Sequence, residues 1–546
     1  MWQHIRITIF GLLVVLSLLS VTTAQSLNPS RYSLDPDNKH NALESSALKT
    51  NQVTEIELYD ESYIWLGTSR GLAMIKDLSS ATTLDSLKLS NGRNELYEDA
   101  VSAIGSGDSQ LMFAGSTITE GISVGTGLYL TGSINVEVTP VWEILEQPID
   151  SPEDSLEWFG LGQFRCLPIT TPFQNLTYDI AFGGGYIWIV SWAGGLRRMN
   201  PYIDNYVWER IPLPQDDQVA FNTCDENAYI NVNGALILAD YYLNPRDPSD
   251  GGNHNHKAFS VISSGDTVWV GTANGINRGI IGNGGCINWI HYSFPADGLA
   301  GNFVVGLALQ EWEGVRTVWA ATVNADNPEE NRGLSFTSDG GLSWLTVPEL
   351  LGERVYNVSA QDSIIVVSTE TGYWIKTDLS GWEKFDPAVN SITHSGNEIL
   401  TAIVYDAVID ARGVPSSPVI WIATPDGVAR SDDLRGLDWT IYQAEYDQEK
   451  IYAYPNPYSP FVHNQIGLDG WVRFHTGHET ISKLTMQIYD FQLEQVYRQT
   501  FDSVTLDGSV KWNGRDNRGD LVANGVYFVR LKWSGGDHWI KLVVVK

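Results

Sequence analysis

The sequence predicts an all-β chain in which a single β-propeller is followed by a small β-sandwich. Three observations lead there. A tryptophan-centred hairpin unit recurs at intervals near fifty residues, amphipathic helical periodicity is almost absent, and the pattern changes abruptly near residue 447.

The N-terminus comes first. Met1 to Arg6 starts positive, Ile7 to Val21 is apolar, and Thr22-Thr23-Ala24 supplies small residues before Gln25. Residues 1–24 therefore read as a secretory signal peptide, with an uncleaved anchor as the other reading. The apolar run is about 15 residues long, short of the roughly 20 a spanning helix needs. The mature chain is expected to have no transmembrane segment and to be secreted or held at a bacterial outer surface.

The ring is expected over residues 40–445. Ile64-Trp65-Leu66-Gly67-Thr68-Ser69-Arg70-Gly71-Leu72 recurs as Val268-Trp269-Val270-Gly271-Thr272-Ala273-Asn274-Gly275-Ile276, and again as Ile420-Trp421-Ile422-Ala423-Thr424-Pro425-Asp426-Gly427-Val428. Looser copies centre on Trp188, Trp319 and Val366, and a weak one on Phe113. Each copy reads as strand, tight turn, strand. The small residue after the strand, Gly67 or Gly271, lets neighbouring backbones approach, and the tryptophan offers a broad face to bury between sheets. Steps of 50 residues from Trp269 to Trp319, 47 to Val366 and 55 to Trp421 suit four short strands per unit. One centre per blade gives seven blades, with eight as the alternative count. The segment Ala228 to Val232, with Ala235 to Tyr242 as its partner, reads as an elaborated outer hairpin because it lacks the Gly-Thr turn.

These Trp-x-Gly-Thr-x-x-Gly-Leu units resemble the two-component regulator propeller repeat of bacterial sensor kinases and free secreted proteins. The resemblance implies the fold and carries little about function, since the repeated residues build the blade. Thr337, Asp339, Gly341 and Trp344 resemble an Asp-box, a turn motif in which the aspartate bonds its own hairpin while the tryptophan packs beneath.

At Asp447-Gln448-Glu449-Lys450 the composition shifts, and residues 446–458 are expected to form an extended linker around two prolines. Val472 to Phe474, Leu484 to Tyr489, Glu494 to Thr500, Ser509 to Trp512, Gly525 to Trp533 and His538 to Val545 read as six strands of a sandwich. Tyr454-Pro455-Asn456-Pro457, then Trp512-Asn513-Gly514-Arg515-Asp516, Gly519, Gly525 and Tyr527, are similar to the immunoglobulin-like C-terminal modules related to the flagellar hook-cap domain and the type IX secretion sorting domain. That resemblance covers residues 454–546 and implies a tag read by an outer-membrane secretion machine. Arg518-Gly519-Asp520 occupies the family's turn, so it is not read as an adhesion motif.

Charge and cysteines bound the rest. With 34 basic and 65 acidic residues, the net charge of -31 would repel a phosphate backbone, and no nucleic-acid partner is expected. Cys166, Cys224 and Cys286 lack the spacing of zinc or redox pairs. One disulfide is open to them, in any of three pairings, as is a fully reduced state.

No catalytic group or cofactor is predicted. The low-ranking binding candidates are His254 and His256, which alternation on a strand would bring to one face, and Trp192, which lies in a hairpin turn. Asp247, Asp250 and the neighbouring glycines leave calcium as the alternative cofactor, although their spacing does not match the EF-hand pattern. The expected function is a non-enzymatic binding or scaffold module with a protein or polysaccharide partner at a ring face. The alternatives are a polysaccharide hydrolase or lyase with its site in the channel, and an accessory part of the secretion machinery.

Overall fold

Seven sheets, A to G, carry the repeat. The computed structural model describes residues 48–546 apart from 60–62, 77–82, 87, 91–93, 108, 133–140, 159–160, 204, 324–328, 388–398, 400, 413–417, 437–438, 445–450, 462–468, 477–479 and 506–509. The leader expected at 1–24 and the charged stretch Asp447 to Lys450 lie outside the described residues.

Each sheet is a four-strand antiparallel meander. Sheet A begins at Val53–Tyr59, B at Ala100–Gly107, C at Thr177–Gly183, D at Ala258–Ser264, E at Phe303–Trp312, F at Val355–Gln361 and G at Asp406–Asp410. Sheet D gains a fifth, outermost strand, Ala220–Asn222. The first strands of successive sheets lie against one another, and that of A lies against that of G. This is a propeller-type all-β fold.

The Gly-Thr signature now has a local cause. At the end of the second strand, the hydroxyls of Thr68, Thr272, Thr369 and Thr424 donate across the turn to the carbonyls of Gly71, Gly275, Gly372 and Gly427 at 2.7 to 3.1 Å. The same oxygens accept from the amide two residues on, as in Arg70 N to Thr68 Oγ1 at 3.0 Å. A threonine there is a side-chain turn cap, and Gly71, at φ 93°, supplies the left-handed residue the turn requires. Gly271 serves a different need: a Cβ there would lie 2.6 Å from Val304 Cγ1 of the next sheet. Gly67 is looser, with Val101 Cγ1 at 3.2 Å. Trp65, Trp188, Trp269, Trp319 and Trp421 are all buried between sheets.

The inner strands are edges, and an edge strand leaves alternate amides without ladder partners. Carboxylates fill that need around the axis. Glu55 Oε2 accepts from Ile104 N of sheet B at 3.1 Å, Asp179 Oδ2 from Val261 N of sheet D at 2.9 Å, and Asp406 Oδ2 from Ile56 N of sheet A at 2.9 Å. Asp406 Oδ1 also accepts from Ala407 N at 2.9 Å and Asn357 Nδ2 at 2.7 Å. Closure of A on G adds Arg412 Nη1 donating to the carbonyls of Tyr59 and Tyr63, and Asn51 bonded to Gly427 and Ala444.

The structure corrects the outer-hairpin reading of 228–242. Tyr229–Val232 and Ala235–Leu243 belong to a separate sheet with Ser155–Trp158 and Gly162–Cys166, joined by a parallel pairing of Gly162–Cys166 with Ala235–Leu243. Its Trp158, Phe164 and Tyr241 share an apolar cluster with residues of sheets C and D. A disulfide joins Cys224 to Cys286 and so ties the insertion to sheet D, while Cys166 is a buried free thiol. Asp150, on the way into the insertion, accepts from Arg197 and Arg210 of sheet C, both at 2.7 Å and all three buried. The two guanidiniums outweigh the cost of burial and hold its pKa below the usual carboxylate value.

The C-terminal strands form two further sheets. One holds Tyr452–Tyr454, Val472–His475 and Lys511–Trp512, and the other runs in the order Gln495–Thr505, Thr480–Tyr489, Gly525–Trp533, Gly536–Val544. Trp512, Tyr458, Ile488, Val529 and Leu542 lie in the core they enclose. The linker expectation is corrected here: Tyr452–Tyr454 is a strand paired with Val472–His475, a seventh strand beyond the six expected. Asn456 then bonds both the carbonyl of Lys541 and the amide of Val543, so the proline segment is fastened to the sandwich. Arg473 of this region pairs with Asp426, in the turn between the second and third strands of sheet G, at 2.9 Å with both side chains buried.

Candidate functional site

In an antiparallel meander the turn joining strands one and two and the turn joining strands three and four lie at the same end. Between sheets D and E those turns enclose a cavity of about 430 Å³. Ile262, Ile280, Leu309 and Val318 supply aliphatic walls, and Ser263, Ser264, Thr267 and Ser338 supply hydroxyls.

Two arginines face this cavity. Arg278 leaves the third strand of sheet D, lies over the Trp269 ring with Cζ 5.9 Å from its centroid, and donates through Nη1 to the carbonyl of Gly340. Its Nε is buried with no hydrogen-bond partner. Arg316, on the second strand of sheet E, donates to Ser264 Oγ at 3.3 Å and pairs with Glu311 at 2.6 Å. The lining includes no carboxylate, histidine or cysteine, so it offers no proton-transfer pair. What it offers is positive charge beside an apolar wall.

The turn that carries Gly340 is fixed by the Thr337 to Trp344 segment. Thr337 Oγ1 donates to Asp339 Oδ1 at 2.8 Å and accepts from Gly341 N at 2.9 Å, while Asp339 accepts from Ser343 N at 3.0 Å and Ser343 Oγ at 2.6 Å. These bonds to the ionised form lower the Asp339 pKa to about 2. Trp344 is buried edge-on against Trp269, with ring centroids 5.9 Å apart.

The axis has a different character. Glu57, on the innermost strand of sheet A, bonds the Ser106 hydroxyl, and burial, reinforced by the charges of Asp406 and Asp179, raises its pKa to about 7. Glu55, Asp179 and Asp406 are bound up in the ties between sheets described above.

The histidine reading is corrected. Residues His254–His256 form a 3₁₀ turn and not a strand, so alternation does not place both rings on one face. Asp216 caps that turn, accepting from His254 N at 2.9 Å and Asn255 N at 2.7 Å. His256 is fully buried: its Nδ1 accepts from Asn244 N at 3.0 Å, and its Nε2 lies 3.2 Å from the carbonyl of Leu213. Burial lowers its pKa to about 4 and keeps it neutral. His254 lies 4.0 Å from Asp247, whose carboxylate caps the turn Pro248–Asp250 by accepting from Ser249. Among the described residues no group of three or more potential ligands is arranged to hold a metal ion. Trp192 packs edge-on against Phe259 at 5.6 Å with Lys257 Nζ 5.0 Å from its ring.

In the C-terminal sandwich, Trp512 Nε1 donates to the carbonyl of Arg515 at 2.7 Å, and Asp516 accepts from the amides of Arg518 and Asp520 at 2.8 and 3.0 Å. Gly514 and Gly519 take the left-handed conformation in this turn, at φ 74° and 90°. Arg518 pairs with Asp516 at 2.9 Å, so Arg518-Gly519-Asp520 is an exposed turn held by its own aspartate. Gly525 begins a strand in which Tyr527, Val529 and Leu531 alternate into the core.

No known family matches the chain, and no curated protein matches it. Among solved structures it is similar to PorZ, an essential bacterial surface component of the type-IX secretion system of Porphyromonas gingivalis. The identity is 14% over 91% of this chain and 66% of that one, just under two thirds, with a TM-score of 0.30. It is also similar to YCF48 from Cyanidioschyzon merolae, at 14% identity over 63% of this chain and 85% of that one, with a TM-score of 0.34. A third likeness is to the Cps50 (Swd1) β-propeller domain of Myceliophteria thermophila, at 10% identity over 69% and 95%, with a TM-score of 0.34. These likenesses assign no activity.

Proposed function

We propose that this chain is a non-enzymatic binding and scaffold protein that acts outside the cytoplasm, with a seven-bladed propeller as its working part and an immunoglobulin-like C-terminal module that directs export or attachment. The observation that carries the reading is how the axial carboxylates are used. In a channel-centred hydrolase they would be presented to substrate, whereas here Glu55, Asp179 and Asp406 hold edge amides of neighbouring sheets. The bridge between Cys224 and Cys286 supports an oxidising compartment. For the C-terminal module, the support is the Trp512 to Asp516 turn, in which Trp512 Nε1 donates to the carbonyl of Arg515.

The test follows the protein's destination in its own bacterium or a related one, comparing the full chain with a chain ending at residue 444. The truncated chain carries Asp426→Asn, because truncation takes away the guanidinium that pairs with this buried carboxylate. The full chain is expected at the cell surface or in the medium and the truncated chain in the periplasm. Arrival of both at the same place would overturn the export role. Release of reducing ends from any of a panel of neutral and acidic polysaccharides by the purified chain would overturn the non-enzymatic role.

A further inference from the structure

We propose that the cavity between sheets D and E binds a small carboxylate with an apolar body, of the size of a medium-chain fatty acid anion. The site does not depend on the routing proposed above and stands wherever the ring is sent.

Size is the first argument. A volume of about 430 Å³ falls within the roughly 300–1,000 Å³ typical of small-ligand sites. Charge is the second. The chain carries a net charge of -31, yet no carboxylate lines this cavity and two guanidiniums do. Glu311 pairs with Arg316, but among the described residues Arg278 pairs with no carboxylate, and its buried Nε lacks an acceptor. A guanidinium presents a planar fork of donors that fits a carboxylate, and Arg278 and Arg316 both line the cavity.

The walls decide the body of the ligand. Ile262, Ile280, Leu309 and Val318 are aliphatic, and the face of Trp269 that a sugar ring would need is overlaid by the Arg278 guanidinium. Val315, about half exposed, forms part of the lip. An alkyl chain laid along these side chains leaves water, while its carboxylate meets Arg278 and Arg316.

The test is titration calorimetry on the full chain at low salt with three probes: octanoate, octan-1-ol and galacturonate. Octanoate is expected to bind at one site, with octan-1-ol about tenfold weaker or less for want of the charged head, and galacturonate without measurable heat. Arg278→Gln and Arg316→Gln should each weaken octanoate by about tenfold. Arg278 also supports the Gly340 turn, so Arg316→Gln, at an exposed side chain, and Val315→Trp, which fills the lip, keep the test independent of folding. Val315→Trp should abolish binding with an unchanged melting temperature. Absence of octanoate binding, equal binding of octan-1-ol, or octanoate binding unaffected by Arg316→Gln and Val315→Trp would overturn the site. Tighter binding of galacturonate than of octanoate would overturn the apolar body.

Discussion

The axis of the ring and the cleft between sheets D and E present opposite chemistry. At the axis, acids stand close together and are committed to neighbouring strands. Asp406 alone accepts from Ile56, Ala407 and Asn357. In the cleft, two arginines stand beside aliphatic walls, and one of them has a buried donor without an acceptor. A cluster of titratable groups at a symmetric centre invites a catalytic reading. Here hydrogen bonds tie Glu55, Asp179 and Asp406 to neighbouring strands, and an arginine donor without an acceptor lies off-centre.

The comparison can be broken most directly at Asp406. If its carboxylate is a tie, Asp406→Ala leaves three donors without their acceptor and should lower unfolding free energy by roughly 4 kcal/mol, read from a denaturant midpoint at constant slope. A loss under about 1 kcal/mol would return the axis to consideration as a site. Asp426→Ala extends the test to a buried carboxylate away from the axis. Removing the carboxylate that Arg473 pairs with should cost about 3 kcal/mol by the same measurement, and Asp426→Ala combined with Arg473→Met should recover much of it.

Glu57 sharpens the contrast through pH. Its folded pKa, about 7, lies above the ordinary 4.5, so the folded ring holds the proton more tightly than the unfolded chain. Its contribution is intact below about pH 4.5 and is lost as pH rises through 7, a change on the order of 3 kcal/mol. Glu57→Gln should remove that part of the slope when melting curves of the two proteins are compared from pH 4.5 to 8.5. Parallel slopes would show that Glu57 is not held protonated. The smallest effect belongs to the cleft: Arg316→Gln, at an exposed side chain, should change stability by less than about 0.5 kcal/mol. A larger loss would make that arginine, too, a structural tie.

Much of the ring was legible in the sequence because its hairpin turns are local. Threonine caps and glycines at fixed offsets mark that turn in four of the seven sheets, and the tryptophans occupy equivalent positions between sheets. The inserted sheet was not legible, since Gly162–Cys166 finds a parallel partner about seventy residues away in Ala235–Leu243 and no turn links them. The histidine pair misled because alternation was taken as a strand, while Asp216, some forty residues earlier, caps those amides into a turn. The first strand of the sandwich was hidden in a proline-rich stretch that reads as linker. The cleft escaped because Arg278 and Arg316 sit in different repeats with no motif spacing between them. The signal that could have found it was the presence of arginines on the strands of adjacent repeats in so acidic a chain.

The closure of sheet A on sheet G bears on how the chain acquires its shape. The four-strand meander of each ring sheet comes from one continuous stretch, so its pairing needs only short loops and can proceed as the chain emerges from a ribosome or a pore. The bond between Ile56 and Asp406 spans 350 residues and must wait for the end. Until residue 406 emerges, the inner edge of sheet A stays open, with amides ready to pair with another chain. The period of greatest risk for aggregation is therefore the interval before the last sheet arrives, and its length is set by how fast the chain between sheet A and sheet G is delivered.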